Sequence, residues 1–247
     1  MSPGIDLNAD LGEGCGDDAA LLGLVTSANV ACGFHAGDRA TMATAGERAL
    51  ALGVRIGAHV GYGDRAGFGR RELGLSSAEI ADQVAEQVGV LRAIVEAVGG
   101  HVSHVKPHGA LYHRAGRDEA CAEAIAAAIA RLDPALIVLS APDDALVRAA
   151  RRHGLATIGE GFADRAYRRD GALVARDLPG GVLDVPAAVA QALSIARHGQ
   201  ARTAEGTAVA VAAQSLCVHG DTPGAVELAR AVHDALTDAG VDVRAFA

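Results

Sequence analysis

The sequence contains few aromatic residues and no tryptophan, which limits what can fill its core. Aromatic residues make up 3% of the 247 positions, whereas half of the chain is hydrophobic. Ala, Val, Leu and Ile must therefore build the interior, a composition that suits a parallel sheet buried under helices. Parallel α/β barrels commonly reach this length without dividing into separate domains. We therefore expect one domain over residues 1–247.

Positive charge and long apolar runs are also scarce. The chain has 22 basic and 30 acidic residues and a formal net charge of -8, so its surface repels nucleic acid and anionic membranes. No run approaches the roughly 20 apolar residues of a membrane span, and no leader pattern is visible at residues 1–4. We therefore expect no nucleic-acid or membrane partner and a cytoplasmic location.

Cysteine and lysine are also scarce. The four cysteines are far apart and form no Cys-x-x-Cys pair, which argues against a structural zinc or disulfide framework and favours reduced thiols. Lys106 is the only lysine among the 22 basic residues. A single lysine in an arginine-rich chain indicates a need for a compact, titratable ammonium, although chance retention would give the same pattern.

The order of apolar and polar segments predicts an α/β fold. Short apolar strands, Gly-rich turns and amphipathic helices alternate, which is typical of consecutive βαβ units. A capping box at Ser76 and Glu79 predicts one helix, and Asp184 and Thr222, each followed by a proline, predict the starts of two others. Seven strands are expected, enough for a closed (βα)7 parallel barrel: Gly4–Asn8, Ser27–Cys32, Val54–His59, Val102–Lys106, Leu136–Ser140, Ala156–Glu160 and Ser215–His219.

Polar residues lie at the carboxyl ends of these strands, where parallel barrels carry their active sites. Alternation along the first strand and the residues after it places Asp6, Asn8 and Asp10 on one face, and a buried strand with three polar side chains needs partners or a ligand. His35 lies between two glycines after the second strand. A functional role is favoured for these residues over a solvated surface.

Four further segments carry candidate residues. Residues 57–71 contain His59, five glycines and Arg70, which predicts a loop wrapped over a site; a plain surface loop is the alternative. Lys106 and His108 end the fourth strand, and Asp164 follows the sixth. His219 and Asp221 precede the predicted helix near Thr222, whose amides favour an anionic group. Asp221 has a purely structural role as its alternative, and His104 and His113 are left open.

Six long motifs closely resemble the LamB/YcsF family across almost the whole chain. They are DLNADLGE, ACGFHAGD, GFGRR, KPHGALY, EGFADR and VHGDTP. The resemblance implies a barrel similar to that of glycoside hydrolases and metal-dependent polysaccharide deacetylases. It also implies the role of the A subunit in an ATP-dependent 5-oxoprolinase, which opens the lactam of 5-oxo-L-proline to L-glutamate together with subunits B and C. The chain departs from the family at Val60 and Gly63, which predicts a more flexible loop.

The resemblance also suggests roles for individual residues. Lys106 and His219 are predicted to stabilise the developing oxyanion, with Asp10 or His108 as general base and Asp164 orienting one of them. No Gly-x-x-x-x-Gly-Lys-Ser/Thr loop is present, so we expect ATP to bind mainly on a partner protein. Asp10, His35 and His59 have the ligand types for a divalent ion. The predicted substrate-binding residues are Asn8, Glu13, Asn29, Arg70 and Asp221.

Two alternatives remain at this point. A metal-dependent carbohydrate deacetylase would use one Asp and two His on a similar barrel. A non-catalytic subunit would instead capture a small acid through Arg70 and the helix near Thr222. The deacetylase would lose activity with a chelator, whereas the binding subunit would bind its ligand without turnover.

Overall fold

The computed structural model describes residues 4–246, which form a closed parallel barrel surrounded by helices. Its strands are β1 Gly4–Leu11, β2 Ser27–Ala31, β3 Arg55–Val60, β4 Val102–Pro107, β5 Ile137–Ser140, β6 Thr157–Phe162, β7 Gln200–Arg202, β8 Ala208–Ala210, β9 Ser215–Val218 and β10 Asp242–Val243. Its helices are α1 Asp18–Leu22, α2 Arg39–Leu52, α3 Ser77–Ala97, α4 Gly109–Arg117, α5 Glu119–Leu132, α6 Ala145–Arg152, α7 Val185–His198 and α8 Ala225–Asp238.

The barrel consists of seven parallel strands in the order β1-β2-β3-β4-β5-β6-β9. Strand β9 pairs with both β6 and β1, and this second pairing closes the cylinder. The predicted α/β fold class with a seven-stranded parallel barrel is thereby confirmed. Strand β10 pairs in parallel with the amino end of β1, while β7 and β8 form a separate antiparallel pair.

Helix boundaries follow local capping chemistry. Ser76 caps α3 through a complete capping box with Glu79, and Asp184 caps α7 with Pro186 in its first turn, as predicted. The predicted cap at Thr222 is wrong. Helix α8 begins after Gly224, whose φ of 79° is left-handed, and it has no side-chain cap. No helix within residues 4–246 is both long and apolar enough to span a membrane.

The barrel interior is polar toward its carboxyl end and apolar toward its amino end. Apolar side chains between the strands and the helices form the main core, as expected for a sheet covered by helices. Inside the barrel, a small cluster of Ile137, Leu139, Ile158 and Phe246 fills the amino end. The remaining interior volume is left to polar side chains, which build the candidate site.

Candidate functional site

Strand β1 presents its three polar side chains to the barrel interior, as the alternation predicted. Asp6 accepts hydrogen bonds of 2.6 Å from the hydroxyls of Thr26 and Ser27, and Ser215 donates a third. Asn8 donates to Ser215 at 2.7 Å. Burial raises the pKa of Asp6, and the three hydroxyls offset part of that rise. These groups form the lower polar layer, on which the residues near the mouth rest.

Lys106 lies at the centre of the next layer, between two carboxylates. Its Nζ is 2.9 Å from Oδ1 of Asp10 and 2.7 Å from Oε1 of Glu160, and the residue is 2% exposed. Burial opposes the charge of Lys106, but Asp10, Cys217 and Glu160 outweigh it and hold its pKa well above the ordinary value. Lys106 is therefore a buried, permanently charged ammonium.

His104 fills the space beside a glycine of the neighbouring strand. A Cβ on Gly57 would lie 2.0 Å from Nε2 of His104, so only glycine allows the ring into the barrel. The ring is completely buried and hydrogen-bonds to Asn29 and Ser103 at 2.9 Å and 3.0 Å. Burial lowers its pKa to about 3. His104, left open by the sequence, is a neutral packing residue beneath the site.

His219 and Asp164 form an oriented pair at the mouth. Nδ1 of His219 lies 2.9 Å from Oδ1 and 3.0 Å from Oδ2 of Asp164, and the backbone N–H of His219 donates to the same carboxylate at 3.2 Å. Because the carboxylate only accepts, Nδ1 carries the hydrogen. His219 in turn keeps the pKa of Asp164 below its ordinary value despite the burial that raises it. Nε2 of His219 is left available to a ligand.

Glu13 and three histidines form a second buried cluster at the mouth. Oε1 of Glu13 is 3.3 Å from Nε2 of His35, 3.8 Å from Nε2 of His59 and 3.5 Å from Nδ1 of His108. The rings of His35 and His108 stack at 4.0 Å. Burial lowers the pKa of His35 to about 3, and burial together with Asp10 raises the pKa of Glu13 to about 7. These residues have the ligand types of a metal site.

The Gly-rich loop is packed tightly over this cluster. A Cβ on Gly61 would lie 2.7 Å from Nδ1 of His35, and one on Gly69 would lie 2.8 Å from Cβ of His35 and 2.9 Å from Cδ2 of His108. The carbonyl of Val60, one of the two departures from the family pattern, accepts the His108 N–H at 2.8 Å. Gly63, the other, faces Phe34. The wrapped loop predicted from glycine density is thus present.

A cavity of about 1040 Å³ opens above these clusters and is bordered by arginines. Arg70, Arg117, Arg165, Arg168 and Arg176 all line it. Arg70 and Arg176 both pair with Asp221, the latter at 3.0 Å. The cavity therefore offers positive charge at its rim and an ammonium at its floor, a combination suited to an anionic ligand.

The structure brings most of the predicted residues to this one mouth. The cavity is lined by Asp10, His59, Arg70, Lys106, His108 and His219. Asp164 lies behind His219. Asn8 and Asn29 are fully buried under Lys106, where Asn29 donates to Asn8 at 2.8 Å and to Asp10 at 2.9 Å. They support the floor without facing the cavity.

Two predicted groups are distributed differently from the sequence interpretation. His35 and His59 lie with Glu13 and His108. Asp10 lies 3.3 Å from Nε2 of His59 and also belongs to a second set with Cys217 and His219. Arg70 and Asp221, both predicted to bind substrate, pair with each other.

Sequence reasoning missed Glu160 and Arg176. Glu160 opens the EGFADR motif, and a solitary buried lysine requires a carboxylate partner. Period-two alternation along β6 would have placed it inside the barrel. Arg176 stands in a loop without a recognisable motif, so no signal in the sequence pointed to it.

The barrel is similar to those of several hydrolases. A family 4 carbohydrate esterase from Streptomyces lividans superimposes with a TM-score of 0.50 at 10% identity, covering 100% of this chain and 95% of that one. A GH18 chitinase from Pseudoalteromonas aurantia gives 0.54 at 9% identity, covering 94% and 100%. At such low identity the likeness defines the class of fold alone: a parallel α/β barrel.

Closer relatives narrow the class to one family. The sequence profile of the LamB/YcsF family matches residues 5–247. The chain belongs to this family, which confirms the resemblance seen in the motifs. A lactam utilization protein from Thermus thermophilus superimposes with a TM-score of 0.92 at 44% identity, covering 98% of this chain and 100% of that one.

Two relatives described as the A subunit of 5-oxoprolinase are similar over their whole length. The protein from Nocardia farcinica is 55% identical and that from Streptomyces coelicolor 53% identical. In both cases the match covers 98% of this chain, and it covers 99% and 100% of the respective relatives.

Proposed function

We propose that this chain is the A subunit of an ATP-dependent 5-oxoprolinase, which opens the lactam of 5-oxo-L-proline to L-glutamate with ATP hydrolysis. The observation that carries the proposal is the 55% identity to a 5-oxoprolinase A subunit over 98% of this chain. The cavity supports it, because its arginine rim and buried ammonium suit a small carboxylate whose carbonyl must be polarised.

A five-membered lactam is an unactivated amide, so its hydrolysis needs help. Transfer of the terminal phosphoryl group of ATP to the carbonyl oxygen would release ADP and make the ring carbon more electrophilic. Water then attacks that carbon, and the ring C–N bond breaks as the nitrogen takes up a proton and becomes the amine of glutamate. A second water hydrolyses the resulting acyl phosphate and releases inorganic phosphate. The sequence has no P-loop, which supports placing ATP mainly on a partner protein. Subunits B and C, acting in the cytoplasm, are the proposed partners.

Within this chain we assign Lys106 to the developing oxyanion. Its ammonium lines the cavity and is held by Asp10 and Glu160 at 2.9 Å and 2.7 Å, so it requires no reorganisation during the reaction. Asn8 and Asn29 fix this arrangement from below through the hydrogen bonds described above. Arg70 at the rim is assigned to the substrate carboxylate, with Asp221 holding its guanidinium in place.

His219 is the better proton acceptor among the candidates. Nε2 of His108 donates to the Phe68 carbonyl at 2.9 Å, and Nδ1 of His108 faces Nε2 of His59 at 3.0 Å, so both nitrogens point at other groups of the protein. Oδ1 of Asp10 accepts from Lys106 and Asn29. By contrast, Asp164 holds the Nδ1 hydrogen of His219 and leaves Nε2 facing the cavity. His219 can therefore move a proton at the reacting centre and afterwards donate to the oxyanion.

The experiment mixes the purified chain with candidate subunits B and C, ATP and 5-oxoproline, and measures glutamate release. Lys106→Ala should reduce release at least about 100-fold, since one oxyanion donor contributes about that much. Arg131→Ala, which removes an exposed cation on α5, is the matched control and should release glutamate at the native rate. Unchanged release by Lys106→Ala would remove Lys106 from the mechanism, and no release by the native mixture would contradict the function.

A metal-dependent carbohydrate deacetylase is the second candidate, and the cluster of Glu13 with His35, His59 and His108 is the observation that favours it. The discriminating measurement is acetate release from N-acetylated chitooligosaccharides by the chain alone, with and without a chelator. Release that the chelator abolishes would support the deacetylase, whereas none under conditions that yield glutamate from 5-oxoproline would eliminate it.

A further inference from the structure

We propose that Glu13, His35, His59 and His108 bind one divalent transition-metal ion at the mouth of the barrel. This ligand set differs from the Asp10, His35 and His59 set that the sequence suggested. The four residues come from the loops after β1 and β2, from β3 and from the start of α4, and all are buried. The inference does not depend on which reaction the chain catalyses, because it concerns binding by the isolated chain.

The directions of the ring lone pairs support this metal site. Nδ1 of His59 lies 3.1 Å from the Lys106 carbonyl oxygen, and Nε2 of His108 lies 2.9 Å from the Phe68 carbonyl oxygen. A carbonyl only accepts, so each of these nitrogens carries a hydrogen. The other nitrogens, Nε2 of His59 and Nδ1 of His108, then present lone pairs to each other at 3.0 Å. Metal-binding histidines are fixed by backbone carbonyls in this way.

Buried polar atoms without hydrogen-bond partners also support the metal site. Among the described residues, Oε1 of Glu13 and both ring nitrogens of His35 are buried without a hydrogen-bond partner. A buried polar atom left without a hydrogen-bond partner is unfavourable, and a carboxylate more so. One cation placed among the four residues would satisfy the glutamate oxygen and three ring nitrogens together.

The spacing of the ligand atoms is close to that of ligands bonded to one ion. Two ligand atoms bonded to one ion at about 2.1 Å lie roughly 3.0–3.4 Å apart at octahedral or tetrahedral angles. The measured separations are 3.0 Å between His59 and His108, 3.3 Å from Glu13 to His35, and 3.5 Å from Glu13 to His108. The separation of 3.8 Å between Glu13 and His59 exceeds this range, and all four ligand atoms lie within 4.8 Å of one another. Small side-chain rotations would complete the site.

The chemistry of the donors selects the ion. Three imidazoles and one carboxylate suit Zn²⁺, Fe²⁺, Mn²⁺, Co²⁺ or Ni²⁺, whereas Mg²⁺ and Ca²⁺ prefer oxygen ligands only. The neighbouring set of Asp10, Cys217 and His219 would contribute a thiolate. However, Sγ of Cys217 is 3.2 Å from the ammonium of Lys106, and burial raises the pKa of its thiol well above the ordinary value. That set is a poor site for a cation.

The test measures metal content in protein purified without a histidine tag. The chain is stripped with a chelator, incubated with Zn²⁺ or Co²⁺, desalted and analysed by mass spectrometry for metals. We expect about one ion per chain, a higher melting temperature than the stripped protein, and no such effect with Mg²⁺. Glu13→Gln and His59→Gln should each weaken affinity at least about tenfold, the minimum that even outer partners of a metal contribute.

His104→Gln is the matched control, because His104 is also a buried histidine inside the barrel but has both nitrogens bonded elsewhere. It should retain the ion. Should the cluster variants fail to fold, X-ray absorption of the zinc-loaded native protein replaces them, with nitrogen and oxygen ligands expected at about 2.0–2.1 Å and no sulfur. A zinc–sulfur distance, an absence of bound ion in the native protein, or full retention by both cluster variants would overturn the proposal.

Discussion

Lys106 shows how one residue can organise a site. Its ammonium neutralises Asp10 and Glu160, which would otherwise be unpaired carboxylates inside the barrel. The sequence singled out Lys106 because it has no other lysine, and this much could be read without a structure. Alternation along β6 places its second partner, Glu160, inside the barrel. The contact between the two residues could not be read from the sequence, because it depends on how the strands close the barrel.

Gly57 is essential for the packing beneath Lys106. We predict that Gly57→Ala lowers the free energy of unfolding by about 1–3 kcal/mol or more, because the new Cβ would overlap His104, whose Nε2 is 2.0 Å away. Urea titration measures the change. The matched control is Gly89→Ala in the exposed face of α3, where nothing lies within 4 Å of the new Cβ. That substitution should stabilise by about 0.5–1 kcal/mol, and equal effects at both positions would contradict the packing argument.

The charge of Asp164 should make stability depend on pH. Its pKa is lower in the folded chain than its ordinary value, so its ionised form stabilises the fold above the unfolded pKa of about 4, and this contribution disappears as pH falls through the folded pKa. Asp164→Asn should therefore reduce the free energy of unfolding at neutral pH and have a smaller effect near about pH 3. Asp82→Asn, on the exposed face of α3, is the control. A destabilisation by Asp164→Asn that does not change with pH would point to lost packing instead.

At the scale of elements, helix starts were predicted well where the capping partners are neighbours in sequence. Ser76 and Glu79 are three residues apart, and Asp184 caps an amide three residues ahead. Thr222 failed as a predicted cap because its hydroxyl accepts a 2.7 Å hydrogen bond from Arg176, a residue distant in sequence. Contacts of that kind leave no local pattern.

The capping box of α3 gives a direct stability test. Ser76→Ala should lower the free energy of unfolding by about 1 kcal/mol, since it removes the side chain that accepts the Glu79 N–H. Ser77→Ala, one position further along and within the helix, should change stability by only a few tenths of a kcal/mol. Chemical denaturation of both variants measures the difference. Equal losses would show that the Ser76 cap contributes nothing of its own.

At the scale of the whole molecule, the sequence predicted the parallel barrel because its strand and helix signals alternate regularly. It could not predict which loops approach each other around the mouth. Glu13 follows β1 and His108 follows β4, yet Oε1 of the first lies 3.5 Å from Nδ1 of the second. Lys106 with its two carboxylates, and Glu13 with its three histidines, form separate groups only once the barrel is closed.

Lys106 also offers a probe of global unfolding. Because it is 2% exposed and paired with two carboxylates, an amine-reactive acylating reagent should leave it unmodified in the native chain and modify it in urea. Mass spectrometry of the peptide that contains Lys106 measures the modification. The denaturant dependence of labelling should follow the loss of far-ultraviolet circular dichroism. Rapid labelling without denaturant would show that the barrel opens locally around the lysine.

The pairing of β9 with β1 also constrains how the protein is made. Asp6 and Ser215, partners in that pairing, are separated by most of the chain. During translation the ribosome must therefore release nearly the whole polypeptide before the cylinder can close. Until then β9 does not lie beside Lys106, so the nascent chain has no complete site. A chain that ends before β9 should therefore be inactive.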